Sequence, residues 1–398
     1  MQELEHDSVL TGLKAEEVFK RFKYCYENKS VREISFDNIT KIIDNEIKQK
    51  SKYASIYFYG GEPLLKKQII KDTIKYIESK KCKTKFKYGI TTNGTLLDDD
   101  MINLIKENEF TVAYSIDGGK LVQNLNRITA DGKETFDIVE KNAKKMLNAV
   151  KTTIAMAVIT KNNLKYLTES VKYLYNIGFR YINLLFDYTQ NWKDEDLIII
   201  KDQYSKLINF YEEKIMNEED INIPLIDEKV NTYIKDNYNC NKDCQLGIRH
   251  VNVGTDGNFY PCVQFVGNNK YIIGNCENGI DFDARAKLIK ESKQENNICK
   301  NCAINKRCKH TCACKNYMIT KDINEVSPLV CETEKITIEL VDKMAERLYK
   351  NKSKLFLQKY YNKSYNIINQ YINNRGWFYG IKKCKRRSKK RISKNRTS

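Results

Sequence analysis

Four cysteines fall in the pattern C-x2-C-x5-C-x3-C, at Cys299, Cys302, Cys308 and Cys312. Cys240, Cys244 and a Gly-x4-Cys unit (Gly257 to Cys262) lie upstream, and Cys331 lies downstream. Thiolates crowded at short spacings in one segment are how proteins hold Zn2+ or iron–sulfur clusters. These eight supply two sets of four, enough for two cubane clusters with no ligand left over. Four-thiolate zinc sites would use the same residues. A disulfide-stapled secreted domain is disfavoured, because Met1 to Asp7 is polar and acidic with no apolar signal core. A cytoplasmic location is therefore expected.

Three turns carry a second kind of signal. Gly60-Gly61-Glu62-Pro63 follows the apolar run Tyr53 to Tyr59. Two glycines permit a sharp turn that presents backbone groups, Glu62 offers a negative charge suited to an ammonium, and Pro63 stiffens the exit. Thr91-Thr92-Asn93-Gly94 and Ser115-Ile116-Asp117-Gly118 close the next two apolar runs with small hydrogen-bonding side chains. Asp117 equally suits a turn or helix cap.

The elements that would position these groups alternate. Strand-like runs at Tyr53 to Tyr59, Phe86 to Thr92, Thr111 to Ile116, Thr152 to Thr160 and Tyr181 to Tyr188 interleave with helical patterns. The latter run from Phe36 to Lys50, Leu64 to Lys80, Asp98 to Asn108, Glu134 to Ala149 and Asn163 to Ile177. Such repeats predict an α/β fold with right-handed crossovers and a parallel sheet, open or curled into a partial barrel. Ligands in such folds sit at the C-terminal strand ends, where the three turns lie. A long helix is expected over Lys193 to Asn217. A further one is marked by Ile336, Leu340, Met344 and Leu348. An amphipathic patch with Tyr360, Tyr361, Ile367, Ile368 and Tyr371 precedes the tail.

The formal charge of +18 invites a nucleic-acid partner. Ten Lys and Arg fall between Lys382 and Arg396 with no acid, which leaves +8 for the rest. That remainder spreads evenly through surface helices, so nucleic acid is not the expected partner. No apolar run approaches the length of a membrane span, about 18 residues. His6, His250 and His310 show no metal or triad spacing, although His310 lies inside the cysteine run. No side chain stands out as a catalytic base.

On these motifs the chain resembles the radical S-adenosylmethionine enzymes that carry a SPASM domain, the peptide- and protein-modifying maturases. Gly60-Gly61-Glu62-Pro63 looks like that family's GGEP motif, which binds the amino group of S-adenosylmethionine. Asn93, Ser115 and Asp117 match strand-end positions around the cofactor. The resemblance assigns Cys240, Cys244, Cys262 and Cys312 to one auxiliary [4Fe–4S] cluster and Cys299, Cys302, Cys308 and Cys331 to the other. Cys314 is a spare beside Cys312, and Cys276 is left as structural. The resemblance also implies reductive cleavage of S-adenosylmethionine, hydrogen abstraction from a peptide or protein, and a reductant such as flavodoxin or ferredoxin.

The implied architecture is a partial (β/α)6 TIM-like barrel over 1–190, its first strand weak or missing, and a helical linker over 191–235. A SPASM iron–sulfur domain over 236–335, C-terminal helices over 336–380 and a basic tail over 381–398 complete it. One departure concerns the catalytic cluster, which the family holds on C-x3-C-x2-C with an aromatic before the last Cys. Tyr24-Cys25 matches the end of that motif, but Val18 and Phe22 stand where thiolates belong. Neither side chain ligates iron, which keeps open a non-catalytic iron–sulfur module that binds peptide. A second departure is Val263 directly after Cys262, where sulfatase maturases tend to carry Asp. It favours modification of a ribosomally made peptide, for example thioether formation.

Overall fold

The computed structural model describes residues 34–129, 131–235, 246–248, 250–294 and 296–362, together with the backbone of 7–11. Six parallel strands form its centre: β1 (Asp7–Thr11), β2 (Tyr53–Tyr59), β3 (Lys85–Thr92), β4 (Thr111–Ser115), β5 (Ile154–Ile159) and β6 (Tyr181–Phe186). The crossovers carry α1 (Phe36–Lys48), α2 (Lys67–Ser79), α3 (Asp99–Glu107), α4 (Lys120–Asn126), α5 (Phe136–Ala149) and α6 (Leu167–Asn176). Caps set several helix starts. Ser35 accepts the Asn38 N–H at 3.1 Å, and Asp98 accepts that of Met101 at 2.9 Å, which satisfies amides that a first turn leaves unpaired.

The first strand, faint in sequence, is present. Its five residues pair in parallel with β2 on one side, and Asp7 to Leu10 pair in parallel with β7 (His250–Val253) on the other. The sheet then ends in the antiparallel strand β8 (Phe259–Tyr260), so the order is β6-β5-β4-β3-β2-β1-β7-β8. The helix-like stretch from Leu13 to Phe22, and with it Tyr24 and Cys25, lies outside the described residues.

Alternation along the strands separates two faces. Ala54, Ile56 and Phe58 of β2 are buried, while Ser55, Tyr57 and Tyr59 are half-buried. The same pattern holds in β5, where Ala155, Ala157 and Ile159 are buried between the half-buried Ile154, Met156 and Val158. Because a strand repeats every two residues, the first set faces the helices and the second lines the other face. That second face carries the half-buried set, in an open sheet rather than a closed eight-stranded barrel. Phe58, Tyr88 and Phe110 stack in the helix-side core, with ring centroids 5.2 to 6.1 Å apart.

α7 (Asp194–Met216) and α8 (Pro224–Lys235) follow. The stretch expected as a helical linker, 191–235, carries these two helices, and Tyr204, Leu207 and Tyr211 of α7 are fully buried. The cysteine-rich segment contains the two-residue strands β9 (Gly274–Asn275) and β10 (Gly279–Ile280), then α9 (Phe282–Glu291), α10 (Asn297–Lys300) and α11 (Ala313–Thr320). Phe265, Tyr271 and Tyr317 supply its local core, with centroids 4.1 to 5.3 Å apart. α12 (Pro328–Lys350) starts at a Ser327 cap with Pro328 in its first turn, and runs unbroken through the expected boundary at 335/336. Of its expected stripe, Met344 and Leu348 are fully buried, and Ile336 and Leu340 lie partly buried against the core. α13 (Lys354–Tyr361) is anchored by an ion pair from the buried Lys359 to the half-buried Asp227 at 2.7 Å. Residues 363–398, including Ile367, Ile368, Tyr371 and the basic tail, lie outside the described set.

Candidate functional site

The turn after β2 begins with Gly60 at φ 129°, a conformation that suits glycine. Glu62 follows Gly61 and is 1 % exposed. One of its oxygens, Oε1, accepts the Thr92 hydroxyl at 2.7 Å and the Leu64 N–H at 3.0 Å, while Oε2 accepts the Asn93 N–H at 2.7 Å. Glu62 thus caps the short 3-10 turn Pro63–Lys66 and ties the end of β2 to the end of β3. Burial pushes its carboxyl up to about 7, against the pull of those three donors. By residue type alone this carboxylate suits an ammonium. The structure commits most of its acceptor capacity to protein donors, so the ends of β2 and β3 are held in fixed register.

Asn93 is 6 % exposed, and its Oδ1 accepts the N–H and hydroxyl of Thr95 at 2.9 and 2.7 Å. Its Nδ2 is buried with no hydrogen-bond partner among the described residues. A buried amide donor in that state is costly unless a ligand accepts from it. Gly94 sits under the Tyr114 ring, where a Cβ would lie 1.8 Å from the hydroxyl oxygen, and its carbonyl accepts from Asn142 Nδ2 at 2.7 Å. This turn is therefore packed into one shape.

Ser115 ends β4 in a half-buried position. Asp117 does not reach the open face. It is fully buried, accepts from Arg127 Nη2 at 2.9 Å and from the Val158 N–H at 2.9 Å, and so braces the ends of β4 and β5. Arg127, ten residues on at the end of α4, carries no motif that singles it out in the sequence. Gly60, Gly61, Glu62, Pro63, Asn93 and Ser115 remain grouped at the strand ends.

The cysteines of the second expected set lie on four pieces of structure. Cys299 is on α10, and Cys302 follows it, with its N–H bonded to the Cys299 carbonyl at 3.0 Å. Cys308 ends a 3-10 turn, and Cys331 lies in the first turn of α12. Cys331 is in electrostatic range of both Cys302 and Cys308. Burial pushes the Cys308 thiol up to about 12 and raises that of Cys331. Of the first set, Cys262 follows β8 and Cys312 caps α11, while Cys240 and Cys244 lie outside the described residues. Cys312 lies 3.5 Å from the spare Cys314, and that contact, with burial, holds its thiol well up. Cys276 is buried, with its thiol pushed up to about 11.

Among the described residues, no three His, Cys, Asp or Glu side chains converge as ligands of a single ion would. Each thiolate of a cubane binds a different iron, so its ligands spread around the cluster rather than meeting at one point. The grouping of Cys302, Cys308 and Cys331 fits that donor set. The Asn93 amide and the glycine turn fit an amino-acid-bearing cofactor. One thiolate at Cys25 does not fit a third cluster.

Comparison with known proteins agrees with this geometry. The family model described as the radical SAM superfamily matches residues 23–174. The cysteine-type anaerobic sulfatase-maturating enzyme of Clostridium perfringens is 24 % identical over 312 residues, which cover 73 % of this chain and 84 % of that one. The radical SAM cyclopropyl synthase TigE of Paramaledivibacter caminithermalis is 26 % identical over 323 residues, 73 % of this chain and 64 % of that one. A solved structure described as native anSMEcpe with bound AdoMet and Cp18Cys peptide superposes with a TM-score of 0.74 at 22 % identity, covering 87 % and 99 % of the two chains. Residues 23–174 thus carry the match to the radical SAM superfamily, whose members use [4Fe–4S] clusters and S-adenosylmethionine.

Proposed function

We propose that this chain acts on a peptide as a radical S-adenosylmethionine maturase with two auxiliary [4Fe–4S] clusters. The observation that carries the reading is the joining of two sites in one sheet. β1 pairs with β2, which leads into the Glu62–Asn93 turn system, and with β7, which leads into the thiol-rich segment. In this reading Gly60, Gly61, Asn93 and Ser115 hold the cofactor, and Glu62 keeps their turns in register. Cys240, Cys244, Cys262 and Cys312 hold one cluster, and Cys299, Cys302, Cys308 and Cys331 the other. A catalytic cluster, were one held beside Cys25, would supply electron transfer into the sulfonium and so hydrogen abstraction from the peptide, while the two auxiliary clusters would pass electrons or hold the peptide. The electron comes from a flavodoxin- or ferredoxin-like donor in the cytoplasm. The described residues contain no helix long and apolar enough to cross a membrane.

The relatives include sulfatase maturases, yet Val263 after Cys262 favours a ribosomally made peptide, with thioether formation as the favoured bond. A second reading has its own observation. Val18 and Phe22 leave Cys25 alone where three thiolates belong, which favours a peptide-binding iron–sulfur module without cofactor cleavage. Anaerobic reconstitution separates the two. About twelve irons per chain, four for each cubane, with release of 5′-deoxyadenosine support the maturase. About eight irons and no cleavage support the module. Tightly held zinc in a colourless protein would replace both.

A further inference from the structure

The thiol-rich segment is packed against a group of charges that no sequence motif announced. Lys229 is 2 % exposed and pairs with Glu334 at 2.5 Å, and Glu334 also accepts the Lys309 N–H at 2.9 Å. The Lys309 ammonium pairs with Glu228. Arg307 clamps Asp342 through two bonds of 2.6 Å. Each of these three cations has its own carboxylate.

Lys315 does not. It is half-buried on α11, one turn past Cys312. Its ammonium lies 3.5 Å from the Lys309 carbonyl and 5.4 Å from the centre of the Tyr188 ring, just past the end of β6. Among the described residues no carboxylate lies within ion-pair distance of it. Its electrostatic neighbours are Tyr188, Cys312, Glu334 and Cys308. Glu334 is already engaged by Lys229 and the Lys309 amide. Removing an ammonium from water is costly unless a negative group faces it. Two of those four neighbours are sulfurs, Cys312 and Cys308, which the proposed assignment places in different quartets.

We infer that Lys315 is the counter-charge of the metal–thiolate groups held through Cys312 and Cys308, and that it sets the potential at which they accept an electron. This rests on the cluster assignment proposed above. A cubane on four thiolates is anionic and gains one further negative charge when reduced. A fixed cation nearby stabilises the reduced form more than the oxidised one, and partial burial strengthens the effect. Lys315 is thus a tuning residue that acts through the thiolate-held groups. Its place beside Tyr188 sets the thiol-rich segment against the chain just past the end of the last barrel strand.

The test is an anaerobic redox titration of reconstituted full-length protein, followed by electron paramagnetic resonance. Lys315→Met is expected to keep the wild-type iron content and lose at least tenfold in the equilibrium constant for reduction of at least one cluster, about 59 mV more negative for a one-electron couple. Lys315→Arg is expected to stay at the wild-type potential. A Met variant with full iron and an unmoved potential overturns the inference while leaving the clusters intact. Should Lys315→Met fail to hold iron, Lys315→Gln makes the same comparison. Iron lost from both neutral variants but kept by Lys315→Arg supports the counter-charge. Iron lost from all three overturns it. A wild-type chain that binds no iron overturns the cluster assignment itself, and this inference with it.

Discussion

The carboxylate of Glu62 accepts the backbone N–H of Asn93 at 2.7 Å, from a position 31 residues away in sequence. That bond links the turn after β2 to the turn after β3, and both turns border the open ends of the strands. Because the carboxylate is buried, its strength as an acceptor depends on its charge state, and so does the register of the two turns.

A pH dependence follows from that burial. The Glu62 carboxyl sits at about 7 in the folded chain, against an ordinary value of 4.5. Between those values the folded state holds a proton that the unfolded state has released, so stability falls as pH rises from 4.5 to 7. The loss amounts to a few kcal/mol, because each pH unit across that window is worth about 1.36 kcal/mol. Glu62→Gln cannot ionise, so the stability difference between wild type and variant is expected to move against the wild type by that amount between about pH 5 and pH 8. Urea unfolding at the two pH values checks it. A constant difference contradicts the assignment.

Asn93 offers a buried donor that lacks a protein partner among the described residues. Asn93→Ala removes that donor and the two Thr95 bonds. S-adenosylmethionine affinity is expected to fall about tenfold, equivalent to one lost hydrogen bond of about 1.4 kcal/mol. Equilibrium dialysis of the cofactor measures the loss. Affinity equal to wild type would place the cofactor elsewhere.

The buried pair of Asp117 and Arg127 makes a contrasting prediction. Arg127→Leu leaves the buried Asp117 charge without its guanidinium partner, and is expected to cost about 3–5 kcal/mol. Asp117→Asn keeps the shape and is expected to cost less. Unfolding curves of both variants rank them, and the reverse order would count against a structural role for the pair.

Gly94 tests the packing of the second turn. Its φ of 76° and the Tyr114 ring over its α-carbon leave no room for a methyl group. Gly94→Ala is expected to destabilise the chain by about 1–3 kcal/mol, with overpacking and backbone strain both contributing. Chemical denaturation reads it directly, and a neutral result would mean that this turn is freely remodelled.

How much of this is legible in the sequence varies by element. β2 is readable to the residue because Tyr53–Tyr59 alternates and ends at two glycines. β1 is faint because Asp7–Thr11 is five residues long, and its strand character comes from hydrogen bonds to β2 and β7, which are distant in sequence. The glycines of the first turn stand out by type. The inward aim of Glu62 does not, since it depends on Thr92 and Asn93 lying across the sheet. Asp117 falls at the right strand end, but its Arg127 partner arrives through α4. Cysteine spacing announces the thiol-rich segment. Lys315, Glu334 and Lys229 stay hidden, because charged residues on helices normally face water and only packing shows otherwise.

The claim on which the account chiefly depends is that the cysteine quartets hold iron. Iron and acid-labile sulfide should be counted on the anaerobically reconstituted chain, on Cys302→Ala and on Cys276→Ala. At least about eight irons are expected in wild type, with about four fewer in Cys302→Ala and no change in Cys276→Ala, at four per cubane. A wild-type chain that holds zinc or no metal, or a Cys302→Ala variant that keeps every iron, would contradict it.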